Sequence, residues 1–172
     1  MSEITLTIVI GAPASGKSST ITELLQLQSK FVILDIDWIA DSASRLAGKS
    51  IYTDSTIWEP YGELWFDFLH AIYKNSKHAI FFTPNRPRDI ENQGTANWID
   101  DSRWLLLDCD DTVLQARLDT RIEWSEDRKL EAITDAQELR SFNIETIDTG
   151  EHKPSDVAQK VLSFANRHAS GS

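Results

Sequence analysis

The chain has 172 residues, 41% of them hydrophobic and 26% charged, a balance that suits one soluble globular domain and argues against a disordered chain. Its formal net charge is −10. Without a basic stripe to displace counterions it is not expected to hold a nucleic-acid polymer, nor to dock on an anionic membrane.

The first predicted element is a strand over residues 4–10, "ITLTIVI", β-branched and nearly continuous as in a parallel strand covered on both faces. The stretch is too short to span a bilayer and no basic segment precedes it. The lone Cys109 cannot form an internal disulfide. Together these point to a cytoplasmic protein. A helix is expected from Ser18, with Ile21, Leu24 and Leu25 on one stripe. A second strand follows over 31–36 and a short helix over 38–47.

"TIWEPYGELWFDFLHAIYKNS" reads as the clearest helix, because Trp58, Tyr61, Trp65, Phe68, Leu69 and Ile72 recur at intervals of three and four. Thr56 and Glu59 have capping-box spacing, and the stripe reads as core. Further strands are expected at 79–83, 103–108 and 143–148, and helices at about 111–122, 129–142 and 155–168. A Pro/Asn-rich loop over 84–97 separates the third strand from the fourth. Strands alternating with helices imply an α/β fold with a parallel sheet, whose ligands bind beyond the carboxyl ends of the strands.

Between the first strand and the first helix lies "GAPASGKS", a match to G-x-x-x-x-G-K-[ST] at Gly11, Gly16, Lys17 and Ser18. Glycines let such a loop turn tightly and aim N–H groups at phosphate oxygens, and the helix N-terminus adds partial positive charge. In this pattern Lys17 reaches the β- and γ-phosphates and the Ser18 hydroxyl ligates Mg²⁺. Asp35 and Asp37, at the end of "FVILDID", fall two apart, so on a strand they share a face. Lys17 and Mg²⁺ are the cations that would keep both ionised. The lesser alternative is that Asp37 caps the helix beginning at Trp38, and the two roles are compatible.

These residues resemble the small-molecule and nucleotide kinase branch of P-loop proteins, which includes shikimate, gluconate and adenylylsulfate kinases and chloramphenicol phosphotransferase. "GAPASGKS", "LDID", "LLLDCDDTVLQARLDTR" and "IETIDTGEHKPSDVAQKVLSF" carry the resemblance across nearly the whole chain. It implies a P-loop NTPase three-layer sandwich, with a five-stranded parallel sheet between helices. One domain over residues 1–169 would carry a small lid at about 117–131. The activity implied is transfer of the γ-phosphoryl group of ATP, with Mg²⁺, to a small-molecule or nucleotide acceptor.

By position, Gly11, Ala12, Pro13, Ala14, Ser15, Gly16, Lys17, Ser18 and Ser19 would bind the nucleotide. Ser18 and Asp35 would hold the metal, Asp35 standing in for the acid that the strand "AIFFT" lacks. Asp37 would orient or deprotonate the acceptor hydroxyl, with Lys17, Arg117 and Arg121 completing the catalytic set. Arg117 and Arg121 lie four apart, on one helical face, where they serve either catalysis or a solvated face paired with Asp119 or Glu123. Arg128 and Lys129 could belong to the lid.

Asp108, Asp110 and Asp111 read as a helix-capping turn, and the four histidines, without metal spacing, as surface residues. Arg45, Arg86 and Arg88 hint at an anionic acceptor. The competing reading is an ATP-binding NTPase or nucleotide-dependent switch with no acceptor; a GTPase would need N-K-x-D, which the sequence lacks. A monomer or a homodimer is expected.

Overall fold

Residues 6–10 are buried at every position, which requires cover on both faces of the strand they form. The computed structural model describes residues 5–91 and 103–169. In chain order it contains β1 (Leu6–Ile10), α1 (Lys17–Leu24), β2 (Phe31–Asp35), a 3₁₀ turn (Ile36–Ile39) and α2 (Ala40–Ala47). A second 3₁₀ turn (Ser55–Ile57), α3 (Trp58–Lys74), β3 (His78–Thr83) and α4 (Pro87–Glu91) follow. The chain then continues through β4 (Arg103–Asp108), α5 (Asp111–Asp119), α6 (Glu126–Arg140), β5 (Glu145–Asp148) and α7 (Pro154–Ala169). The five strands pair in parallel in the order β2-β3-β1-β4-β5.

Alternation along the strands divides the core in two. Ile8, Ile10, Phe81 and Leu106 face one layer with Trp65, Leu69, Leu114 and Leu139 from α3, α5 and α6. Val9, Ile80, Phe82, Leu105 and Leu107 face the other, with Ile21, Leu24, Val161 and Phe164 from α1 and α7. Each such side chain contributes about 2 kcal/mol by leaving water. This is the expected three-layer α/β sandwich. Among the described residues no helix is long and apolar enough to cross a membrane.

β1 is central, so the loop that leaves its carboxyl end lies between the β2–β3 pair and the β4–β5 pair. That is the crevice where open α/β sheets bind ligands.

Boundaries differ from expectation where side chains compete for backbone donors. The Asp54 carboxylate accepts from the Thr56 N–H at 3.0 Å and starts the 3₁₀ turn before α3, so the Thr56–Glu59 capping box does not form. Ser125 caps α6 by accepting from the Arg128 N–H, which starts that helix three residues early. The loop over 84–97 contains α4, and its residues 92–97 lie outside the described residues. His78 is not a plain surface residue: its Nδ1 accepts from the Thr5 N–H at 3.2 Å.

Candidate active site

The loop after β1 is shaped by what cannot fit there. A Cβ on Gly11 would stand 2.4 Å from the Ser15 Oγ and 2.7 Å from the Leu107 carbonyl oxygen. Gly16 has φ +100°, and Ala14 also takes a left-handed backbone, φ +66°, which a non-glycine residue adopts at a cost. The Ser15 N–H returns to the Ala12 carbonyl at 3.1 Å, and the first α1 amide to find a backbone carbonyl is that of Thr20, on Gly16 at 3.0 Å. The amides of Lys17, Ser18 and Ser19 have no such acceptor among the described residues. The Ser15 Oγ is buried without a partner. Free amides at a helix N-terminus, over a loop that excludes a Cβ, fit a phosphate group.

Lys17 folds its ammonium back onto the loop, donating to the carbonyls of Gly11 and, at 3.0 Å, Ala12. Burial pulls its pKa down from 10.5 to about 8; Asp35 and Asp37 oppose the shift and Arg121 adds to it. A cation held in a desolvated place with little compensation attracts an anion.

Asp35 and Asp37 reach the same place by a different route from the one expected. β2 stops at Asp35 and Asp37 lies in the 3₁₀ turn, so strand alternation does not relate them. The cap is Asp35, whose carboxylate accepts from the Asp37 N–H at 3.1 Å, which leaves the exposed Asp37 carboxylate free of a capping role. Burial raises the Asp35 pKa, and the Asp37 N–H opposes this. The turn is fastened from beneath: the Ile36 carbonyl accepts from the Trp65 Nε1–H at 3.1 Å and from the Tyr61 hydroxyl. Tyr61, Trp65 and Leu69 are core, as their spacing implied, whereas Phe68 is exposed.

The two arginines part company, because α5 ends at Asp119. Arg117 donates to the Thr149 carbonyl at 2.7 Å, to the Thr149 hydroxyl at 2.9 Å and to the Ala14 carbonyl at 3.3 Å. The Thr149 hydroxyl in turn donates to the Ser15 carbonyl at 2.7 Å. Arg117 is thereby tied to the loop after β1 and to the residue that follows β5. Arg121, past the helix end, stacks on Trp124 at 4.6 Å, and Arg128 stacks there at 3.9 Å. Lys129 points to Asp119 and Glu126 instead.

A cavity of about 860 Å³ joins these groups. The loop after β1 contributes to it, with Asp35, Asp37, Tyr52 and Trp58 from the β2–β3 side and Arg121, Trp124, Arg128 and His152 from the β4–β5 side. Arg86 and Arg88 are absent from its lining. Arg86 pairs with Asp135 at 3.0 Å and Glu138 at 2.7 Å, and Arg88 pairs with Glu138. Arg45 lies outside it too, donating to the Ser42 hydroxyl at 3.0 Å. In the second acidic group, Asp110 caps α5 through the Val113 N–H at 2.9 Å, while Asp108 and Asp111 bind Arg140.

Thr149, Tyr61, Trp65 and Trp124 shape this site and were not among the expected functional residues. For Thr149 the sequence carried a slight signal, its place directly after the β5 strand, where an α/β sheet presents ligand-binding residues. Tyr61 and Trp65 act on a turn distant in the chain, and Trp124 acts through its near neighbours Arg121 and Arg128.

No family model and no curated protein sequence matches the chain. Solved structures do. A sugar kinase from Janibacter sp. is 15% identical with TM-score 0.62, over 98% of this chain and 100% of that one. Shikimate kinase from Aquifex aeolicus is 19% identical with TM-score 0.52, over 97% and 99%. A chain of the Pnkp1/Rnl/Hen1 RNA repair complex is 17% identical with TM-score 0.61, over 84% of this chain and 48% of that one. At these identities the likeness establishes a shared fold and carries no activity with it.

Proposed function

We propose that this chain is a P-loop kinase that moves the γ-phosphoryl group of ATP, with Mg²⁺, to the hydroxyl of a small molecule. One observation carries the reading. A single cavity holds free amides and a desolvated ammonium at its centre, two carboxylates on one side and, on the other, Arg121 and Arg128 stacked on Trp124. The alternative of an acceptor-free NTPase or switch gives no reason for the room beyond Asp37.

In this reading Gly11 to Ser19 cradle the phosphates, and Lys17 exchanges its bonds to the Gly11 and Ala12 carbonyls for phosphate oxygens. The Ser18 hydroxyl and Asp35 would hold Mg²⁺. Among the described residues no three His, Cys, Asp or Glu side chains converge on a metal site, which suits an ion that takes most of its ligands from phosphate and water. When bound, Mg²⁺ neutralises charge on the phosphate oxygens.

Asp37 accepts the proton of the acceptor hydroxyl as the bond from that oxygen to the γ-phosphorus forms. The bond from the γ-phosphorus to the β-phosphate oxygen breaks, and ADP leaves. Arg121, whose guanidinium stacks on Trp124, turns its fork to the charge developing on the transferred group. Arg117 assists by holding the Ala14 and Thr149 carbonyls in place. Residues 117–131 act as the lid of a single domain over 1–169, and Arg117, Thr120, Arg121, Trp124 and Arg128 among them line the cavity.

The test is acceptor-dependent ADP release. Asp37→Asn should bind Mg·ATP as well as the parent chain and lose about 10²-fold or more in turnover. ADP release that no acceptor stimulates would refute the kinase reading in favour of the NTPase.

A further inference from the structure

The acceptor's half of the cavity has a definite electrostatic character. Apart from Lys17, the charged side chains that line it are acidic, Asp35 and Asp37, and they stand with the aromatic Tyr52 and Trp58 and the uncharged Ile36, Ile51, Thr83 and Pro84. Asp41 adds a third negative charge, facing the hydroxyl of Tyr52 from the first turn of α2.

The basic residues around this half are committed elsewhere. Arg86 and Arg88 are held by Asp135 and Glu138 on α6. Arg45 turns to Ser42, and Lys49 pairs with Asp54 at 3.2 Å. Residues 92–102, outside the described residues, include no lysine, arginine or histidine. Lys17 itself belongs to the phosphate loop. An anionic acceptor would therefore approach two or three carboxylates with no counter-charge of its own, and like charges brought together in a half-enclosed site repel strongly.

The aromatic groups supply the positive side of recognition. Trp58 is half-buried, at 6.1 Å from the Tyr61 ring, and lines the cavity. Tyr52, 63% exposed, lines the same cavity. Flat, partly wetted rings take up the apolar face of a polyhydroxylated ring or an aromatic ring, and they attract cations through their π faces.

We infer that the acceptor is a hydroxylated small molecule without an anionic group, neutral or amine-bearing, that lays a flat or apolar face against Trp58 and Tyr52. This rests on the kinase reading above, names its substrate class and replaces the anionic acceptor that Arg45, Arg86 and Arg88 suggested.

The experiment uses matched skeletons: an amino sugar, its neutral parent sugar, the corresponding sugar acid and sugar phosphate, a nucleoside and its monophosphate, and a hydroxyl-terminated RNA oligonucleotide. Each is offered with Mg·ATP and ADP release is measured. The neutral or amine-bearing member of a set should exceed its anionic partner at least tenfold in kcat/KM. Tyr52→Arg, a change at an exposed side chain, should move that ratio at least tenfold toward the anion. Anionic members equal to or better than their partners, turnover led by the oligonucleotide, or no acceptor-dependent turnover at all would each overturn the inference. A parallel melt with Mg·ATP alone separates the two failures: no upward shift, or ADP release that no acceptor stimulates, fails the kinase reading itself, whereas turnover led by the anionic members fails only the acceptor class.

Discussion

Lys17 should make the unliganded fold less stable at neutral pH than a chain without it. Lowering its pKa from 10.5 to about 8 corresponds to about 3 kcal/mol at most, at 1.36 kcal/mol per pH unit. At pH 7 the group is charged in both states and the folded state bears that cost. Lys17→Met removes it, and also removes two bonds to the Gly11 and Ala12 carbonyls that contribute about 1 kcal/mol each. The net expectation is about 1 kcal/mol in favour of Lys17→Met, or about 2–4 °C in Tm for a chain of this size. Between pH 8 and 10.5 the unfolded chain binds the proton that the folded one has released, so parent stability climbs with pH across that window. The lead of Lys17→Met should accordingly shrink above pH 8 and reverse. Urea unfolding of both proteins in EDTA, at half-unit steps from pH 7 to 10, measures the difference, and titrations common to both cancel. A difference that stays constant with pH would refute the claim that the ammonium is disfavoured in the empty site.

The remaining expectations follow from the same geometry. Mg·ATP at a hundred times its Kd should stabilise the parent chain by about 2.7 kcal/mol, and thermal melts of Lys17→Met should show little of this. Arg117→Ala should lower the unliganded Tm, since three bonds to the phosphate loop and Thr149 vanish, at about 2 kcal/mol in urea unfolding. Arg121→Ala should leave Tm within about 2 °C, because the side chain is surface-stacked, and should reduce turnover instead. Asp35→Asn should keep the cap on the Asp37 N–H, since Asn caps as well as Asp, and should raise the Mg²⁺ concentration needed for half-maximal ADP release. Tyr61→Phe should cost about 1–3 kcal/mol in urea unfolding by withdrawing a buried hydroxyl from the Ile36 carbonyl.

The parts legible in the sequence were those fixed by local chemistry. "ITLTIVI" followed by "GAPASGKS" defines a buried strand and the loop it feeds, because apolar continuity and glycine spacing are short-range properties. The α3 stripe was legible for the same reason. What escaped were contacts between residues far apart in the chain. Nothing near Arg117 announces that it will bind Thr149, 32 positions away, and Ala14, 103 positions away. Arg86 and Arg88 looked available until α6 brought Asp135 and Glu138 against them. The two aspartates taught a further lesson: the strand ended one residue early when Asp35 captured the Asp37 amide, so a shared location arose from a turn instead of a pleat.

The clasp on the Ile36 carbonyl bears on how the specificity of such a protein could be rewritten. Tyr61 and Trp65 anchor the start of α3 to the very turn that carries Asp37, so the intervening stretch leaves and returns at two neighbouring fixed points. Residues 40–58 thus behave as a cassette plugged into a rigid socket. A graft that keeps residues 36–39 with Tyr61 and Trp65 can exchange residues 40–58 without moving the acid. One that takes the foreign α3 as well brings its own socket, and the aspartate then goes wherever that socket puts it.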